Sequence, residues 1–211
     1  MHIRTLRLFG IAALFLVVCT CVVQADDLFP PSWRFGPGTT FAIWEFNTPD
    51  LNPAPDRGFN PNGMPATEIF PGHDWLPYYG GRVGVWPLSG LVVTAIPNYP
   101  PPNRFKEILV QVTWSSPSQY AEPDVDEILF HVPGQLVSRI AVPPNQGVQW
   151  WHDVYRIIII PNPPRESIRV QGAIWIDELV IDTICVPEPS SILVLAVGAT
   201  GLIGLVRRRR K

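Results

Sequence analysis

The chain has 211 residues, 16 of them basic and 18 acidic, and 46% are hydrophobic. Seven of the basic residues lie at the two ends, so the stretch from 26 to 186 keeps 9 basic against 17 acidic side chains, a balance of about −8; so acidic a surface argues against a nucleic-acid partner, which needs a basic stripe, and gives solubility outside the cell. Its 25 prolines argue against a helix-rich body and its 8 tryptophans against a disordered one, which leaves short strands joined by proline-bearing loops.

Residues 1–25 read as a secretory signal peptide. Arg4 and Arg7 supply a positive start, Leu8 to Val18 an apolar run, and Val23-Gln24-Ala25 a small residue at the cut, with Asp26 and Asp27 following. A lipoprotein cut before Cys19 or Cys21 is disfavoured, because Val18 and Thr20 make a poor lipobox. With both of those cysteines removed, Cys185 is left alone, so an internal disulfide is excluded. It either bridges two molecules or ends the last strand half-buried.

The body, 26–185, has the size of one domain. Its first strand is Thr39 to Phe46, rich in aromatic and β-branched residues. The stretch Thr48 to Gly81 follows as a long irregular loop, and loops of that length are functional or mobile. Within it Trp75, Tyr78 and Tyr79 beside glycines allow a flat platform for sugar rings, with His73, Asp74 or Arg82 adding polar contacts. The preferred reading has the same aromatics folding back as a lid over the core.

Strands Arg82 to Trp86 and Gly90 to Ile96 come next, separated by Pro87, then Glu107 to Ser115 with Ile108, Val110, Val112 and Trp114 on its core face. Asp126 to Val132 and Gln135 to Val142 follow, with Pro133-Gly134 as a hairpin turn between them. Trp150 to Ile160 starts with Trp150, His152 and Val154 on one face and ends in four isoleucines, as in a strand buried on both faces or crossing a bulge. Ser167 to Gln171 and Ala173 to Ile184 complete the set. Eight or nine strands in about 150 residues predict an all-β body, a β-sandwich. W44-E-F-N-T-P49 and W175-I-D-E-L-V-I-D182 are similar to the first and last strands of galactose-binding-like jelly-rolls, which implies that these two strands are neighbours; an immunoglobulin-like sandwich is the alternative, without the cysteine pair of antibody domains.

Acidic clusters are candidate metal ligands. Calcium takes six to eight oxygens, and jelly-rolls of the resembled kind often hold one structurally. Asp124, Asp126 and Glu127 read as solvated surface. Asp177, beside Glu178 and between Ile176 and Leu179, has to be edge-exposed, hydrogen-bonded or ligating. No zinc-protease, hydrolase-elbow or phosphate-loop motif is present. His131 and His152 sit among apolar neighbours and read as structural, so a non-enzymatic role is expected, without cofactor.

The chain ends on Val186-Pro187-Glu188-Pro189, an uncharged run from Ser190 to Val206, and Arg207, Arg208, Arg209, Arg210 and Lys211. As a helix the run spans roughly 26 Å, slightly short of the roughly 30 Å hydrocarbon layer. Snorkelling basic side chains accommodate such a mismatch and stay cytoplasmic as a membrane stop, leaving the body outside. Pro187 and Pro189 hold the preceding tetrapeptide extended. The tail resembles the PEP-CTERM tail of exported bacterial proteins. That resemblance implies that Val186, Pro187, Glu188 and Pro189 are recognised by exosortase, a membrane-embedded cysteine protease that removes the helix and its basic end.

The expected partners are the Sec translocon, signal peptidase, exosortase and the membrane. The expected route runs from an inner-membrane-anchored precursor to the surface or extracellular matrix of a Gram-negative-type bacterium. There the body acts as a structural or adhesive protein, associated with exopolysaccharide; the alternative is a carbohydrate-binding module using the Trp75 to Arg82 loop.

Overall fold

The computed structural model describes residues 26–88, 91–99, 105–118, 121–143 and 146–186. They form thirteen strands in two antiparallel sheets and no helix. The signal peptide at 1–25 and the tail from Pro187 onward, including the 190–206 segment, lie outside the described residues.

The larger sheet is organised around its longest strand. This is β13 (Ile174–Val186), paired along most of its length with β7 (Phe105–Ser115). On its other edge β13 has two partners in succession. Its first residues pair with β5 (Arg82–Leu88) and its last with β1 (Thr39–Trp44). A bulge between Ile176 and Glu178 marks the change of partner and re-aims Asp177. Beyond β7 lie β11 (Trp150–Ile159) and the edge strand β10 (Gln135–Val142); beyond β1 lies the short β2 (Arg57–Phe59). The second sheet runs β3 (Ala66–Ile69), β6 (Leu91–Pro97), β12 (Arg165–Gln171), β8 (Asp124–Glu127) and β9 (Val132–Pro133).

Side-chain alternation joins the sheets face to face. Trp44, Ile108, Val110, Val112, Trp114, Ile157 and Ile181 from the larger sheet share one buried cluster with Ile69, Ile96, Val125, Ile168 and Val170 from the smaller. The expected core face of β7 is thus the observed one. The first and last long strands are neighbours, with Trp44 opposite Leu179 and Thr39 opposite Ile184.

Several expectations are corrected. The 48–81 stretch is not irregular throughout: it contains β2, β3 and β4 (Leu76–Tyr79). Gly80 and Gly81, both at positive φ, make the two-residue hairpin turn between β4 and β5, a conformation that favours glycine. Pro87 does not end its strand, because β4 reaches only to Val85 and leaves that end of β5 without a ladder on its far side. Pro133-Gly134 is not a hairpin turn. The hairpin turns at 128–131, with His131 at φ 55, and Gly134 carries the chain from β9 in one sheet to β10 in the other; a Cβ there would lie 2.7 Å from the Val125 carbonyl oxygen. The isoleucine run alternates instead of burying both faces: Ile157 and Ile159 are 1% exposed, Ile158 is 37% and Ile160 70%.

The outer face of the larger sheet is covered over part of its area by residues 26–38. There Gln111 and Thr113 of β7, His152 and Val154 of β11, and Glu178, Val180 and Asp182 of β13 are buried. Phe29 donates its N–H to Gln111 Oε1 at 3.1 Å and tilts its ring over His152. Arg34 grips Asp182 through Nε and Nη2, at 2.5 and 2.6 Å, and binds Asp27 as well.

Candidate functional site

The sorting segment starts where the sheet's ladder stops. Cys185 pairs with Lys106 and Val186 with Phe105, the last pairs of β13, and Cys185 donates its N–H to the Gly38 carbonyl at 2.9 Å. Pro187 has no N–H to extend the ladder. Among the described residues Val186 represents the sorting motif, and it is anchored in the body; Pro187, Glu188, Pro189 and Arg207 through Lys211 lie outside the described residues. Cys185 is buried, not half-buried, and its thiol donates to Asn98 Oδ1 at 2.9 Å. Burial raises its pKa, which keeps it a thiol.

The four residues read as a glycan platform are distributed over different surroundings. Trp75 packs against the main core, and its Nε1 donates to the Phe46 carbonyl at 2.9 Å. Tyr79 points the opposite way from Tyr78 on β4 and sets its ring 4.3 Å from that of Trp175, within a second small cluster around Val85, Val142 and Trp150. Tyr78 is 52% exposed. Arg82 is 2% exposed; it donates to Asp177 Oδ2 at 2.8 Å and to the Pro143 carbonyl at 2.8 Å, and pairs with Asp26. Its Nη1 and Nη2 are thus taken by two carboxylates and a carbonyl, while its buried Nε has no partner. The open cleft of about 510 Å³ in this region is lined by Trp75 and Trp86 with the exposed His73 and Asp74, over Pro49, Leu51 and Pro71.

Asp177 faces Arg82 at the bulge, with its Oδ2 accepting from Arg82 Nη1. Burial pushes Asp177 up to about 7 against the pull of Arg82. Glu178 is pushed up to about 8 by burial and by the neighbouring Asp26 and Asp177, while the backbone N–H of Asp26 bonds it. Among the described residues no group of three or more His, Cys, Asp or Glu is placed to hold a metal. Asp126 pairs with Arg169, Asp124 accepts from Gln171 at 2.8 Å, and Glu127 accepts from the Ser167 and Phe130 N–H groups at 2.9 and 2.7 Å. Glu127 is thus a buried turn cap and not solvated surface.

His131 is exposed in its turn, whereas His152 is buried between Thr113 Oγ1, 2.8 Å from Nδ1, and Gln111 Oε1, 3.1 Å from Nε2. Burial lowers its pKa and keeps it neutral. Two features had no reading in the sequence. One is a second cleft of about 390 Å³ bordered by Trp114, Trp151, Gln149, Glu122 and Arg139, where Arg139 stacks over Trp114 and is anchored by the buried Asp153. The other is a charged group inside the sandwich: Lys106 continues the inward parity of Ile108 and Val110, a signal visible once the strand is started at Phe105 and not at Glu107.

Compared with protein families, residues 186–211 match the PEP-CTERM protein-sorting motif. No curated protein and no solved structure gives a significant match. The chain therefore carries the tail that marks exported proteins for exosortase, on an all-β body of two antiparallel sheets.

Proposed function

We propose that this is a non-catalytic structural or adhesive protein of the cell surface or matrix, delivered as an inner-membrane-anchored precursor and released from its helix by exosortase. The observation that carries the reading is the sorting motif at 186–211, which begins at the last paired residue of the central strand β13. A body held by that strand takes load along the strand with the most extensive pairing in the larger sheet. The 48–81 stretch adds contact surface, since Phe59, Met64, Phe70 and Tyr78 are exposed there, and exposed apolar groups of this size suit association with a matrix or a neighbouring molecule.

Mass spectrometry of the native protein with and without exosortase tests the sorting. The expected outcome is a chain lacking its helix and basic end only when the enzyme is present, and a full-length membrane form when Glu188→Ala is introduced. Recovery of an untrimmed chain from the cytosol would overturn it.

A second reading, a carbohydrate-binding module, rests on the Trp75 cleft, where an indole face stands beside exposed His73 and Asp74. Exopolysaccharide fragments are the expected ligands. His73→Ala and Asp74→Ala leave the core untouched and should abolish glycan-array binding; unchanged binding, or none by the parent protein, removes this reading.

A further inference from the structure

At the end of the sandwich from which the tail departs, three polar side chains enter the interior from both sheets. Lys106 comes from β7, Glu166 from β12, and Asn98 from the residue after β6; the first two are 0% exposed and Asn98 6%. Lys106 Nζ lies 2.6 Å from Asn98 Oδ1 and 3.0 Å from Glu166 Oε1. The second distance is that of an ion pair, and neither oxygen of Glu166 has another hydrogen-bond partner. An isolated structural pair in that state is costly.

The carboxamide of Asn98 is held at both ends. Its Oδ1 accepts from the Tyr99 N–H at 2.8 Å and from the Cys185 thiol at 2.9 Å besides Lys106. Its Nδ2 donates to Asn162 Oδ1 at 2.9 Å and to the Pro163 carbonyl at 2.6 Å. An amine that close to a carbonyl oxygen is no more than about 3.8 Å from the carbonyl carbon, near the separation of about 3–3.5 Å at which bound groups react.

We propose that the folded chain joins Lys106 to Asn98 by an isopeptide bond, with Glu166 as the proton-transfer group. Glu166 takes a proton from the Lys106 ammonium, and the freed Nζ lone pair attacks Asn98 Cγ. The carbonyl electron pair moves onto Oδ1, where the Tyr99 N–H and the Cys185 thiol stabilise the developing charge. Glu166 then passes a proton from Nζ to Nδ2, the Cγ–Nδ2 bond breaks with its electrons on nitrogen, and the carbonyl reforms as ammonia leaves. A primary ammonium and a carboxamide become a secondary amide and ammonium, with no oxidant, reductant or co-reactant. Burial pushes Glu166 up to about 7, so it both accepts and releases a proton near neutrality. The bond closes a short ring between β6 and β7, beside the last residues of β13.

The test is peptide mapping and intact mass of the full chain isolated after export. The expected result is a mass lower by one ammonia, with no tryptic cut after Lys106 and a branched peptide joining the Asn98 and Lys106 segments. Lys106→Arg, Asn98→Ala and Glu166→Gln should restore the unreacted mass, and Asn98→Asp should lose water in place of ammonia. Any variant that fails to fold leaves the parent's branched peptide to decide. An ordinary cut after Lys106, or ammonia loss without a branch, overturns the proposal; full branching in Glu166→Gln overturns the role of Glu166.

Discussion

The two faces of the eight-stranded sheet are buried by different means. The inner face uses alternation: Ile108, Val110, Val112 and Trp114 meet the second sheet, and their burial follows from apolar area alone. The outer face of the same strand carries Gln111 and Thr113, which would be ordinary solvent-facing residues were residues 26–38 not laid across them. Covering polar groups has a condition that covering apolar ones lacks, since each must find a partner inside the cover. Arg34, Phe29 and Asp27 supply those partners, so the segment acts as a polar clamp where the inner face has an oil-like contact.

The clamp is therefore the place to break the comparison hardest. Arg34→Met keeps most of the side-chain volume and removes the fork that neutralises Asp182, whose side chain is 0% exposed. Losing one partner of a buried ion pair costs about 3–5 kcal/mol. Urea denaturation should show a loss of that size, with Phe29 and His152 losing their mutual shielding as residues 26–38 come away. A loss below about 1 kcal/mol, the value of an exposed pair, would mean that the segment covers the face without holding it.

The difference between the faces also explains what could be read in advance. The inner strands announce themselves through apolar, aromatic and β-branched content and, in Glu107 to Ser115, through alternation; the strands read at Thr39 to Phe46 and Trp150 to Ile160 end within two residues of β1 and β11. Residues 26–38 have no period, and their partners are far away in the chain, Gln111 82 residues from Phe29 and Asp182 148 from Arg34, so nothing local links them. Gly80-Gly81 was legible as a hairpin turn in principle, yet the prolines around it drew the whole stretch into one loop. The sorting tail was readable because motif, apolar run and basic end are contiguous. The glycan platform failed to assemble as a unit because neighbours on a strand face opposite ways, which separates Tyr78 from Tyr79.

Titration sharpens the comparison at a smaller scale. Under the cover, Glu178 has its pKa pushed up to about 8, first by burial. A carboxyl with a raised folded pKa binds more protons folded than unfolded, so its contribution is intact below the unfolded value near 4.3. It is lost as pH rises to about 8 and is constant above that. His152, lowered by burial, acts in the opposite sense but below about 6.5. Between roughly pH 7 and 8 the parent should therefore lose stability at up to about 1.4 kcal/mol per unit for each such group. Glu178→Gln should flatten its share of the slope in urea melts; a slope unchanged by the substitution would place the titrating group elsewhere.

The smallest effect tests where the cover ends. On β11 the outward residues change from buried His152 and Val154 to exposed Arg156, one pair further along the same strand. Arg156 makes a hydrogen-bonded pair with Glu107 at 2.7 Å, a distance no worse than those of the clamp, but its side chain is 43% exposed. In water the charges are already solvated when the chain is unfolded, so the pair gains little on folding and is screened by salt. Arg156→Ala should cost about 0.2–1 kcal/mol and even less at high salt, measured beside Arg34→Met in the same urea series. A cost near that of Arg34→Met would show that distance and not cover sets the value of an ion pair on this face.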